Sequence, residues 1–228
     1  MNKNKNIFQW NEEINSMINK EQNVVIDGAI NLEKYLNSKH KILWLLKEPY
    51  STEDQSFAYK EMFTSKELYE DFFKNVAVST WHPIIYISYS ILHNYLYWEE
   101  LSYIRENPKM CDVVNEISII NANQNFSLTG TYTIDSNLEN GFEKFKSINL
   151  QQIENLNPEI LIFGNTFYLY KKYLEITESN LTFKTDDNTL KIYEKNGKIY
   201  FDANHPAKRI SREKYINPII KYLKNKKT

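Results

Sequence analysis

The chain has 228 residues, of which 42% are hydrophobic and 25% are charged, and its formal net charge is −1. This length suits one well-packed α/β domain, and this composition excludes a disordered chain. The single cysteine, Cys111, excludes a disulfide framework and any cysteine-ligated zinc or iron–sulfur centre. No apolar segment has the length of a membrane span or the pattern of a signal peptide, so we expect one cytoplasmic domain over residues 1–228.

Residues 1–38 are predicted to form a helical lead-in to this domain. Apolar residues between Phe8 and Lys20 recur with a modest helical period. Asp27 is a suitable N-cap for a second, short helix that runs from Ala29 to Leu36.

The strongest strand signal is Ile42 to Leu46, five consecutive apolar residues typical of a strand that is buried on both faces. Pro49 cannot donate a backbone hydrogen bond, so this strand must end before it. The carboxylate of Glu48 therefore lies at the C-terminal end of a buried strand, where open α/β sheets bind their ligands. The simpler interpretation is a solvated acid at the end of a strand.

The next segments are rich in aromatic residues. Tyr59 to Val76 and Ile84 to Leu101 are predicted helices, and the tyrosines and tryptophans of the second helix favour core and interface packing over a cofactor site. Glu116 to Asn121 is the second predicted strand. It ends in an asparagine, as the first strand ends in a glutamate.

A helix from Leu138 to Leu156 leads to a third strand, Glu159 to Gly164, and the glycine permits a tight turn into a helix over Thr166 to Ile176. Leu190 to Tyr193 and Lys198 to Asp202 then form a hairpin. The pair Asn196-Gly197 between them is a strong signal for a two-residue turn.

The C-terminal end is strongly basic. From residue 208 onward there are eight basic residues and one acidic residue. Ser211 is expected to cap a basic helix over about residues 211–225. Such asymmetry indicates either an anionic partner or a solvated helix face, and the pattern alone leaves both open.

Four strands separated mainly by helices predict an α/β fold around a four-stranded, mainly parallel sheet. Right-handed crossovers bring the C-terminal ends of such strands to one edge of the sheet. We therefore expect Glu48, Asn121 and His205, which follow three of these strands, to meet in one cleft.

In this ordered set of strand ends the chain resembles the uracil-DNA glycosylase superfamily, from about Ile42 to the last helix. Leu46-Lys47-Glu48-Pro49-Tyr50 is similar to its water-activating loop, and Ser118-Ile119-Ile120-Asn121 to its base-reading strand. His205-Pro206-Ala207 resembles the loop that enters the minor groove. The resemblance implies a three-layer α/β/α fold with spatial strand order 2-1-3-4.

The resemblance also implies roles for individual residues. Glu48 stabilises the sugar and orients the attacking water, while His205 donates a hydrogen bond to the departing base. Asn121 reads the edge of the flipped base, Tyr50 excludes the methyl group of thymine, and Phe57 stacks on the base. The implied DNA contacts lie in the loop and helix that follow the histidine: Lys208, Arg209, Ile210, Ser211 and Arg212. Arg209 or Ile210 would fill the gap left by the flipped base. No metal or organic cofactor is required.

The chain also departs from the pattern of this superfamily. Leu46 stands where a glycine is usual, Glu48 where the uracil-specific branch has aspartate, and Ala207 where the loop has serine. With Cys111 as its only cysteine, the chain cannot belong to the iron–sulfur branches. The excised base therefore stays open between uracil, a related damaged base and a modified base of foreign DNA. A non-catalytic module that binds nucleic acid or protein is the alternative, and such a module has no need for the acid at position 48.

Overall fold

The predicted strands and most of the predicted helices are recognisable in the structure, a computed structural model that describes residues 6–51, 55–63, 73, 78–127 and 133–226. The strands are β1 (Val25–Ile26), β2 (Gly28–Ala29), β3 (Ile42–Leu46), β4 (Phe57–Ala58), β5 (Ser118–Asn121), β6 (Ile160–Gly164), β7 (Leu181–Lys184), β8 (Leu190–Lys195) and β9 (Lys198–Ala203). The α-helices are α1 (Ile7–Ile18), α2 (Leu32–Asn37), α3 (Tyr59–Met62), α4 (Trp81–Leu92), α5 (Asp135–Leu156), α6 (Phe167–Tyr170) and α7 (Arg212–Lys226). Short 3-10 helices cover Trp98–Glu100, Pro108–Glu116 and Glu178–Asn180.

The main sheet is mixed and has seven strands in the order β2-β5-β3-β6-β9-β8-β7, while β1 pairs with β4 in a separate two-stranded sheet. Strand β3 pairs in parallel with β5 and with β6, and β6 pairs in parallel with β9. The pairs β2–β5, β9–β8 and β8–β7 are antiparallel. The predicted α/β class is confirmed, but the predicted extent of four strands is wrong. Strand β2 is too short to leave a pattern, and β7 is mostly exposed.

The two faces of the sheet contribute to different hydrophobic clusters. In β3, Ile42, Trp44 and Leu46 belong to a cluster that includes residues of α4 and α7. Leu43 and Leu45 belong to a second cluster, with residues of α5 and α6. Because both faces are covered, this strand reads as a continuous apolar run, and each fully buried aliphatic side chain contributes about 1.5–3 kcal/mol.

The hairpin between β8 and β9 has the predicted two-residue turn. Asn196 and Gly197 have positive φ angles of 52° and 76°, and Lys195 pairs with Lys198. This backbone conformation favours asparagine and glycine, which explains why the turn was visible in the sequence.

Several predicted helix boundaries are wrong. Helix α2 is capped by Asn31, whose Oδ1 accepts a hydrogen bond from Lys34 N at 3.0 Å, so Asp27 is not its cap. Helix α4 begins earlier than predicted, since a proline at its third residue is tolerated in the first turn, and it ends at Leu92 before two residues with positive φ. Helix α6 is also shorter than predicted. Most of the predicted helix over Tyr59 to Val76 lies outside the described residues.

The start of α7 agrees with the sequence. Ser211 Oγ accepts a hydrogen bond from Lys214 N at 3.4 Å, so the predicted cap is confirmed. No helix within the described residues is both long enough and apolar enough to cross a membrane.

Candidate functional site

A cleft of about 580 Å³ opens at the C-terminal ends of β3, β6 and β9. It is lined by Glu48 and Tyr50 after β3, Asn165 after β6, and His205 after β9, together with Lys47. Two of the three side chains expected to converge therefore line one cleft, in agreement with the parallel pairing of β3, β6 and β9.

Glu48 is held by the continuation of the backbone pairing beyond β3 and β5. Ala122 N donates to Leu46 O at 2.8 Å, and Asn123 N donates to Lys47 O at 2.9 Å. This pairing brings Asn123 beside Glu48, where Asn123 Nδ2 donates to Glu48 Oε2 at 3.4 Å. This hydrogen bond orients one carboxylate oxygen of Glu48. The side chain is only half-buried and still lines the cleft. Sequence reasoning placed Asn123 in a polar loop and missed this contact.

A glycine in α5 makes room for Asn123. A Cβ atom at Gly141 would lie 2.1 Å from Asn123 Cγ and 2.4 Å from its Oδ1. These distances are far shorter than any non-bonded contact, so a larger residue here would displace the side chain that orients Glu48.

We therefore expect Gly141→Ala to lower the free energy of unfolding by about 1–3 kcal/mol, the usual cost of overpacking, although alanine favours helices more than glycine does. Urea denaturation measures this change. Ser147→Ala, an exposed substitution in the same helix, is the matched control. Equal stability of the two variants would show that the predicted clash does not occur.

The protonation of His205 is fixed by its surroundings. Its Nδ1 accepts a hydrogen bond from Ala207 N at 3.2 Å. Burial, and to a lesser degree the charge of Lys47, lower the pKa of His205 to about 4. At neutral pH the imidazole is therefore uncharged, with its proton on Nε2, and it can donate a hydrogen bond without carrying a positive charge.

Gly164 lets the turn of His205 pack closely against β3. A Cβ atom at this position would lie 3.0 Å from Pro206 Cδ and 3.1 Å from Leu46 Cδ2. In the turn that follows β6, the residue with a positive φ angle is Asn165, at 61°, and not Gly164. The predicted role of the glycine is therefore corrected, since it is needed for close approach and not for a left-handed backbone.

Tyr50 lies at the opening of the cleft. Its side chain is 56% exposed, and its backbone forms a bridge with Ser127. Tyr50 thus lines the same cleft as Glu48, and more than half of its surface lies in solvent.

Asn121 and Phe57 do not line this cleft. The side chain of Asn121 is 1% exposed, and its Nδ2 donates to Asp27 Oδ2 at 3.2 Å and to Tyr59 Oη at 3.3 Å. The ring of Phe57 packs against those of Tyr59 and Phe126, with 6.1 Å between the ring centroids in each pair. The two residues predicted to hold the base therefore lie around Tyr59, and the two-residue step from Asn121 to Asn123 connects this group to Glu48.

Asp27 is the centre of a buried polar network that sequence reasoning missed. Its Oδ1 accepts hydrogen bonds from Gln124 Nε2 at 3.2 Å and from Gln152 Nε2 at 3.1 Å. Its Oδ2 accepts from Asn121 N at 2.7 Å, in addition to Asn121 Nδ2. All these donors are neutral amides, so burial dominates and raises the pKa of Asp27 to about 7. The network ties the end of β5 to α5.

The raised pKa of Asp27 predicts an unusual pH dependence of stability. Between pH 3.8, its ordinary pKa, and about 7, the folded chain holds a proton that the unfolded chain has lost, so stability falls as pH rises through this window. The pKa difference corresponds to about 4 kcal/mol in total. We expect urea denaturation from pH 4.5 to 8 to show most of this loss, about 3 kcal/mol, in the wild type relative to Asp27→Asn. His205 contributes with the opposite sign, but that contribution cancels in the comparison, and a difference that does not vary with pH would contradict the prediction.

The residues predicted to contact DNA lie in four different environments. Lys208 and Arg209 lie in the loop after His205 and are exposed. Lys208 also lines the cleft, and its Nζ donates a hydrogen bond to Asn204 Oδ1 at 2.8 Å. Ser211 serves as the helix cap. Ile210 is half-buried against the core and is not a free wedge, while Arg212 lines another cavity.

In the described part of the chain, no group of three His, Cys, Asp or Glu side chains could hold a metal ion. A larger groove, about 1000 Å³, runs along α7 beside β7 and β8, but it contains none of the residues predicted for the site. Neither a protein-family model nor a curated protein matches the sequence.

Proposed function

We propose that the chain is a DNA glycosylase that hydrolyses the N-glycosidic bond of uracil or of a related damaged or modified base. The observation that carries this proposal is that Glu48 and His205 line the same cleft, with the imidazole of His205 neutral at pH 7. The neighbour order β5-β3-β6-β9 supports it, because the resemblance implies order 2-1-3-4 for these strands.

The two side chains suit the two charges that develop when the bond breaks. As the bond between C1′ and the base nitrogen lengthens, the sugar becomes positive and the base negative. The carboxylate of Glu48 stabilises the sugar and orients a water molecule, whose oxygen then bonds to C1′. The proton of this water passes to Glu48, and the base leaves as an anion that is protonated from solvent. The Nε2–H of His205 stabilises the base oxygen where the negative charge collects.

Recognition of the base through Asn121 is restricted by the network around it. Its Nδ2 already donates to Asp27 and Tyr59, the residue is almost fully buried, and it does not line the cleft. The proposal therefore gives Asn121 no direct contact with a base held in the cleft, and its amide supports the end of β5, which leads to Asn123 and Glu48. The amide of Asn123 is also engaged, since its Nδ2 donates to Glu48 Oε2 and its Oδ1 accepts from Asn125 N at 3.1 Å.

Lys208 and Arg209 would neutralise phosphates next to the flipped nucleotide. Replacing both by alanine should reduce the slope of log affinity against log salt by about 0.9 for each lost phosphate contact on duplex DNA. Fluorescence anisotropy over a salt series measures this slope. The matched control is Lys214→Ala with Lys221→Ala, which removes the same charge from exposed positions of α7. Equal slopes in the two double variants would remove the loop from the DNA interface.

The proposed activity is tested with oligonucleotides that each carry one lesion, in single-stranded and duplex form. Excision leaves an abasic site, which hot alkali converts to a strand break. We expect breaks at one lesion or a small group of related lesions. Complete absence of breaks across uracil, damaged bases and modified bases would overturn the proposal and favour the non-catalytic binding module.

A further inference from the structure

A second cavity, of about 430 Å³, adjoins the cleft. Val78 lines this cavity, while the next two residues, Ser79 and Thr80, line the cleft. The remaining wall includes three aromatic rings and two guanidinium groups, contributed by Tyr86, Trp98, Tyr103, Arg105 and Arg212. The proposed chemistry uses none of these side chains.

The aromatic rings form a connected group with an open end. The centroid of the Trp98 ring lies 5.1 Å from that of Tyr86 and 5.7 Å from that of Tyr103, and both pairs pack edge to face. Tyr103 is 57% exposed, although its ring contacts Trp98. Ring surface at the rim of the cavity is therefore available to stack on a planar ligand.

The two arginines give the cavity a positive charge. Arg212 is half-buried, and one of its N–H groups donates to Val78 O at 3.1 Å. The pKa of the buried His82 is lowered mainly by burial, and the charges of Arg212 and Arg105 lower it further. Among the described residues no carboxylate forms an ion pair with either arginine, although Glu106 also lines the cavity. Within the described residues the half-buried Arg212 thus has only the neutral carbonyl of Val78 as a hydrogen-bond partner, and an anion such as phosphate suits its guanidinium.

Aromatic rings beside arginines are the means by which proteins hold unpaired nucleotides, because every base has a face to stack and every nucleotide carries a phosphate. We propose that this cavity binds an unpaired nucleotide flanking the excised one, with its base on Tyr103 and Trp98 and its phosphate on Arg105 and Arg212. The inference rests on the proposed function and adds to it that the substrate is single-stranded DNA, since a flanking base in a duplex is paired and stacked and cannot enter the cavity.

The test compares affinities for undamaged single-stranded and duplex oligonucleotides, so it requires no excision. We expect Tyr103→Leu with Arg105→Gln to weaken single-strand binding at least tenfold and to change duplex binding less than threefold. The matched control, Tyr168→Leu with Lys172→Gln, removes an exposed ring and an exposed positive charge elsewhere and should change neither affinity. All four positions are exposed, and thermal melting verifies that both double variants remain folded.

Unchanged single-strand affinity in the Tyr103 and Arg105 double variant, or an equal loss for both forms of DNA, would overturn the inference. Excision by the wild type combined with this result would leave the proposed function intact. A selective loss of single-strand binding in a chain that excises no base would support the cavity assignment and count against the glycosylase.

Discussion

Replacing Glu48 by glutamine is expected to slow base excision about a hundredfold or more while DNA affinity stays nearly unchanged. Glutamine keeps the size of the side chain and its ability to accept from Asn123, but it lacks the negative charge that stabilises the sugar. Removing one preorganised stabilising group commonly costs on the order of 3–4 kcal/mol of transition-state stabilisation. Single-turnover excision and equilibrium binding on the same oligonucleotide separate the two effects.

Two further variants sharpen this test. Glu139→Gln removes the same charge from an exposed position of α5 and should leave excision unchanged. Glu48→Asp supplies the acid usual in the uracil-specific branch but shortens the side chain by one methylene. If the cleft is built around the longer acid, the aspartate variant should also be slower than the wild type. Full activity in Glu48→Gln would refute the catalytic role of this residue.

The second large effect is expected at His205. Since this imidazole is neutral at pH 7, His205→Ala removes a hydrogen-bond donor without changing the charge of the chain. Loss of such a donor to a developing negative charge commonly slows a reaction by about 10²–10³-fold. His205→Gln, which retains an N–H donor, should recover part of the rate. Neither variant should change the salt dependence of DNA binding.

The pH profile gives an independent measurement of the same group. With its pKa lowered to about 4, His205 gains a positive charge only when the pH falls toward that value. The excision rate of the wild type should therefore show no inflection from His205 between pH 6 and 7.5. An inflection near the ordinary pKa of histidine, about 6.5, that disappears in His205→Gln would show that the imidazole is exposed and not held neutral.

The buried strands were the most predictable part of the fold. Strands β3, β5 and β6 begin and end within two residues of their predicted bounds, because strands covered on both faces give continuous apolar runs. The proline at position 49 was enough to predict from the sequence where β3 ends. The same reasoning placed Glu48 and His205 at one edge of the sheet, and both line the cleft that opens there.

The parts that sequence reasoning missed depend on contacts between distant segments. A capping aspartate and a buried one look alike locally, and Asp27 is buried because Asn121, Gln124 and Gln152 reach it from other elements. The strand pattern likewise gave Asn121 a position at the strand end but not the partners that draw its amide away from the cleft. The core packing predicted for Ile84 to Leu101 did not extend to Tyr103, and no sequence pattern pointed to this residue, which is largely exposed beside a cavity.

The most direct test of the central claim is detection of the released base itself by mass spectrometry. The wild-type chain is incubated with an oligonucleotide that carries the preferred lesion, and free base is measured together with abasic sites. We expect equal amounts of both from the wild type and almost none from Glu48→Gln combined with His205→Ala. Release of the same amount of base by the wild type and by the double variant, or no release from any lesion, would contradict the assignment of Glu48 and His205 to glycosidic bond cleavage.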